Sequence, residues 1–99
     1  MVPGFQEVML PFLRLVEKAG GQPVATKEAV ANLAEQLGLS EDEQSELLPS
    51  GRQTRFANRV AWAASHLRAA RLLESAGRGL VTLTDRGRKL LSAIRNTRP

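Results

Sequence analysis

The stretch TRFANRVAWAASHLRAARLLESAGRGLVTLTDRG, residues 54–87, decides the fold. Its first half sets Phe56, Val60, Ala63, Leu67 and Ala70 at helical spacing, which predicts a helix to about Ala70 with those residues inward. Its second half changes period. Leu72 to Ser75 and Leu80 to Thr84 read as two short strands around the glycine-rich tip Ala76-Gly77-Arg78-Gly79, with Val81 and Leu83 on one side and Leu80 and Thr82 on the other. Thr84 then caps a last helix, with Asp85 at its positive end and Leu90, Leu91 and Ile94 facing inward. A plain helical bundle, the nearest competing fold, leaves the hairpin unexplained.

Working back from this stretch, Pro49-Ser50-Gly51 interrupts the chain, and the helix starts between Gly51 and Thr54. Ser40 with Glu43 three residues later forms a capping box that opens a short helix to Leu47 or Leu48. Thr26 caps an earlier helix whose stripe is Val30, Leu33, Ala34 and Leu37, ended by Gly38. Gln22 to Ala25 can form a short extended segment. Phe5, Val8, Met9, Phe12, Val16 and Ala19 mark a first helix that stops at Gly20-Gly21, with a kink or a restart at Pro11. The order is mainly α: a winged helix-turn-helix with a short C-terminal β-hairpin wing and an extra short helix inside the helix-turn-helix. Residues 1–99 read as a single domain, with 95–99 as a tail or the start of a linker.

Charge is divided unequally along the chain. Residues 1–50 carry three basic and eight acidic side chains, a balance of −5, whereas residues 51–99 carry eleven basic and two acidic, a balance of +9. A basic half on a small domain is the footprint of a polyanion binder, since each neutralised phosphate releases condensed counterions. Eleven of the fourteen basic residues are Arg, the side chain suited to bidentate contact with phosphate or guanine. The absence of Cys excludes a disulfide scaffold and thiolate zinc sites and fits a reducing cytoplasm. No run of residues is long and apolar enough for a membrane span, so no membrane partner is expected.

A helix-turn-helix reads DNA with the N-terminal end of its second helix in the major groove. That end offers Arg52, Gln53, Thr54, Arg55, Asn58 and Arg59. Arg can reach guanine N7 and O6 together, and Gln or Asn can pair with adenine N6 and N7. Thr54, Asn58, Ala61 and Ser65 form a polar stripe away from the core, and Arg55, Arg59, Trp62 and His66 a second stripe beside it. Trp62 is expected to pack half-buried, and the lone His66 to be structural. Arg78, between two glycines at the hairpin tip, can enter a minor groove or grip phosphate. Glu41, Asp42 and Glu43 read as helix-start acids and not as a cation site. No phosphate loop, Ser/His/Asp set or nuclease pattern of acids is present, so the chain reads as non-enzymatic by itself, with no cofactor and no metal.

The run Leu47-Leu48-Pro49-Ser50-Gly51-Arg52-Gln53-Thr54-Arg55-Phe56, continued by Asn58-Arg59-Val60, Trp62-Ala63, Leu67, Ala70 and Leu72-Leu73-Glu74, resembles the N-terminal domain of Mrr-type restriction endonucleases. Met9-Leu10-Pro11 and Leu83-Thr84-Asp85-Arg86-Gly87 fit as well, so the resemblance spans about Phe5 to Ile94. It implies a winged-helix module recognising double-stranded DNA, often modified, attached to a separate C-terminal nuclease domain that cuts with a metal. Position 71 departs from the pattern: Arg stands where Gly is expected. Two other classes of function compete. One is a protein-interaction or homodimer module in which the acidic half meets the basic half of a second copy; the other is a small transcription regulator.

Overall fold

The computed structural model describes residues 2–96. Five helices and three strands follow the order α1 (Phe5–Lys18), β1 (Val24–Ala25), α2 (Thr26–Gln36), α3 (Glu41–Ser45), α4 (Arg55–Ala69), β2 (Leu73–Gly77), β3 (Leu80–Leu83) and α5 (Asp85–Asn96). The strands form one antiparallel sheet in the order β1-β3-β2. A mainly helical chain with this sequence of elements has the architecture of a winged helix, with α3 as the extra helix between α2 and α4.

The core is built where the apolar stripes converge. Val8, Phe12, Leu13 and Val16 of α1 meet Leu33 and Ala34 of α2, the inner face of α4, and Leu73, Val81 and Leu83 of the sheet. The alternation in β3 is the one its sequence implies, with Val81 and Leu83 buried and Leu80 and Thr82 partly open. Pro11 sits inside a single helix, so α1 does not restart there. Ser40 and Glu43 close the capping box, each side chain accepting from the other's backbone N–H, at 3.1 and 2.9 Å.

Several boundaries and faces differ from the sequence reading. Ala25, not Thr26, is the N-cap of α2, without a side-chain cap. The cause is tertiary: Val24 and Ala25 pair with Val81 and Leu80, and the Thr26 N–H donates to the Gly79 carbonyl at 2.9 Å. That bond satisfies one of the N–H groups that the first turn of a helix leaves without an intrahelical partner. Ala70 is exposed as the C-cap of α4, and Ala64 joins the core in its place. On α5 the buried line is Gly87 and Leu91, with Ile94 half-buried and Leu90 38% exposed. Gly87 seats the first turn of α5 against the Leu72 carbonyl and the Leu83 side chain. Arg95 and Asn96 belong to α5, and the rest of the tail, 97–99, lies outside the described residues.

The departure at position 71 has a structural meaning. The α4 helix ends in a Schellman turn: Leu72 N–H donates to the Leu67 carbonyl at 2.9 Å and Arg71 N–H to the Arg68 carbonyl at 3.0 Å. Such a turn needs a left-handed residue, and Arg71 has φ 61°. It is the only non-glycine with positive φ among the described residues. The same turn at the end of α2 uses Gly38, φ 70°. Arg71→Gly is therefore expected to stabilise the fold by about 0.5–1 kcal/mol, the left-handed penalty exceeding the entropy glycine adds to the unfolded chain. Denaturant unfolding measures it; a lower midpoint for the glycine variant would mean that the Arg71 side chain contributes more than its backbone costs.

Candidate nucleic-acid interface

The start of α4 is prepared by a closed loop. Leu47 bridges Thr54, and Leu48 N–H donates to the Gln53 carbonyl at 2.9 Å, while Gly51 N–H donates to the Leu48 carbonyl at 2.8 Å. Gly51, at φ 71°, makes the turn that leaves Arg52 and Gln53 exposed at the tip. Thr54 caps the helix: its Oγ1 accepts from Ala57 N–H at 3.1 Å. Asn58 lies one turn on. Its Nδ2 donates to Gln53 Oε1, and Arg59 Nη1 donates to Asn58 Oδ1, both at 3.5 Å. Bonds at that distance are weak and readily exchanged for shorter ones to another acceptor or donor.

Of the seven residues singled out in the sequence, six therefore meet at one helix end. They are not equivalent. Thr54 has its hydroxyl committed to the cap, and Arg55 is held from α3, with its Nε 3.5 Å from Glu46 Oε2 and its N–H donating to the Glu46 carbonyl at 2.7 Å. Arg52 and Arg59 make no ion pair among the described residues, and Gln53 and Asn58 are neutral donors and acceptors. The seventh, Arg78, is on the exposed two-residue turn between β2 and β3. The Thr26–Gly79 hydrogen bond ties that turn to the start of α2, a tether the sequence gives no means of finding.

Trp62 is more open than its sequence position suggests. It is 53% exposed, and with Asn58, Ala61 and Ser65 it lines a shallow groove on the outer face of α4. The physical reason is rotation. With Ala64 inside and Ala70 outside, the buried face of α4 turns by roughly 20–25°, a fraction of the ~100° step between residues, away from Trp62. His66 does have a packing role: its ring stacks on Phe5 of α1, centroids 4.5 Å apart at 7°, and meets Trp62 at 6.1 Å and 35°.

Electrostatics separate the two ends of the basic half. On α5, Arg95 grips Glu17 of α1 with two hydrogen bonds of 2.9 and 3.1 Å, and those bonds hold the Glu17 carboxyl below its usual range. A hydrogen bond from Arg88 does the same for Asp85. Arg52, Arg59, Arg68, Arg71, Arg78, Arg86 and Lys89 form no ion pair among the described residues. No acid occurs between Glu46 and Glu74 in the sequence, so apart from the Arg55–Glu46 pair the basic residues of α4 form no ion pair among the described residues. The carboxylates of α3 bound this region at the Arg55 edge.

An element order of helix, strand, helix, short helix, helix and hairpin, with unneutralised Arg at the start of the last helix-turn-helix helix, defines the class: a winged-helix-like module. The comparison with protein families makes it specific. The profile described as Mrr N-terminal domain matches residues 5–93, and the chain belongs to that family. No curated protein and no solved structure matches it. Among the described residues no helix is long and apolar enough to cross a membrane.

Proposed function

We propose that this chain is the duplex-DNA recognition module of an Mrr-type restriction system. The α4 helix enters the major groove by its N-terminal end. Arg52 and Arg59 contact phosphate or guanine, and Gln53 and Asn58 face base edges. Arg55 adds charge when it leaves Glu46, Thr54 fixes the helix start, and Arg78 meets flanking DNA. Cleavage is assigned to a separate nuclease domain or subunit, as the family relationship implies. The observation that carries this reading is the acid-free basic stretch at the start of α4, where Arg55 is paired with Glu46 but Arg52 and Arg59 form no ion pair among the described residues, on a helix-turn-helix scaffold.

Fluorescence anisotropy with labelled duplexes across a salt series is the test. Affinity should fall steeply as salt rises. Arg59→Ala should reduce the salt slope by about one unit if Arg59 holds phosphate, or remove about 1–3 kcal/mol at one base position if it holds guanine. Running methylated and unmethylated duplexes side by side measures whether modification is sensed. Affinity for duplex that is negligible at low salt would refute the proposal.

A further inference from the structure

We propose that Trp62 is a base-reading residue that recognises the C5-methyl group of thymine in the major groove, an inference that rests on the docking proposed above. The indole belongs to α4, seven residues beyond Arg55 and so about 10 Å along the axis at ~1.5 Å per residue. It therefore follows Asn58 by one turn on the face opposite the core. More than half of its surface is open, although it is the only Trp of the chain. Single exposed apolar residues are ordinary on protein surfaces. This one differs in its setting: it shares a groove with the polar Asn58 and Ser65, in a segment without acids from Leu47 to Leu73.

Charge complementarity identifies the occupant of that face as a polyanion, and the groove chemistry narrows it further. The major groove of unmodified duplex DNA presents hydrogen-bonding atoms at every base pair but only one apolar group, the thymine methyl. An indole among polar readers has that group as its natural complement. Trp62 is also partly preorganised. Phe5 fixes the His66 ring by stacking, and His66 stands against one side of the indole, so less side-chain freedom is lost when the open side is covered.

Uracil pairs with adenine as thymine does and lacks only the methyl, which makes the test direct. Wild type, Trp62→Ala and Trp62→Phe are titrated with duplexes of one sequence, synthesised with thymine or with uracil. Wild type should lose about four-fold in affinity per contacted thymine, the equivalent of one buried methyl. Trp62→Ala should bind the thymine duplex at least as weakly as wild type binds the uracil duplex and show no difference between the two; Trp62→Phe should keep part of the difference. Because the chain has one Trp and no Tyr, intrinsic fluorescence reports on this residue alone and should shift to shorter wavelength with the thymine duplex. Exposure of the side chain means circular dichroism and unfolding midpoints of both variants should match wild type. Equal wild-type affinity for the two duplexes, or full affinity in Trp62→Ala, would overturn this inference while leaving DNA recognition intact. Failure of wild type to bind either duplex would overturn the docking on which it rests.

Discussion

Gly87→Ala is expected to destabilise the protein by about 3 kcal/mol, the upper part of the range for forcing atoms into a packed site. The direction opposes helix propensity, by which alanine inside a helix gains roughly 1 kcal/mol over glycine. At position 87 a Cβ would lie 2.4 Å from the Leu72 carbonyl oxygen and 2.6 Å from Leu83 Cδ1. Leu83 could change rotamer, but the carbonyl cannot withdraw. It accepts from the Thr84 N–H at 3.2 Å and lies 3.1 Å from the Thr84 hydroxyl, whose single proton is shared with the Arg71 carbonyl at 2.6 Å and whose oxygen accepts from Gly87 N–H. Relief requires the first turn of α5 to move away from Leu72 and Leu83. Urea unfolding followed by circular dichroism reads the effect. A Gly87→Ala protein as stable as wild type would mean that α5 is not seated this closely on β3.

Removing Arg52, Arg55 and Arg59 together should weaken duplex binding by two to three orders of magnitude near 0.1 M salt and flatten the salt slope by about three units, as three lost phosphate contacts require. Cost to the fold should be small, because the one ion pair lost, Arg55 with Glu46, is at the surface. The informative comparison is Arg71→Ala, Arg86→Ala and Lys89→Ala combined. These side chains are exposed and form no ion pair among the described residues, so their removal changes net charge equally while leaving the start of α4 intact. Anisotropy should show a much smaller loss for that triple variant. Equal losses would indicate a diffuse response to net charge and no contact surface at α4.

What could be read from residues alone is what local physics controls. The glycine-rich tip around Arg78, the Ser40–Glu43 box, the Thr84 cap and the alternation in residues 80–83 depend on neighbours within a few positions. They therefore survive in the one-dimensional record, and with them the winged-helix order and the basic start of α4. Even the left-handed turn at Arg71 was marked there as a departure from glycine, although its φ was not. Tertiary packing decided the rest. Pairing with β3 moved the start of α2 by one residue, from a Thr26 cap to an Ala25 cap. Contacts from α1 and the sheet set the rotation of α4, choosing Ala64 over Ala70 and leaving Trp62 in solvent. Residues far apart in the chain became partners: Glu46 met Arg55 across the loop, Glu17 met Arg95, and the hairpin turn met the start of α2. Spacing along one helix fixes which side chains share a stripe, but the angle at which that stripe faces the core depends on surfaces contributed by other segments, and a single chain of letters does not contain that angle.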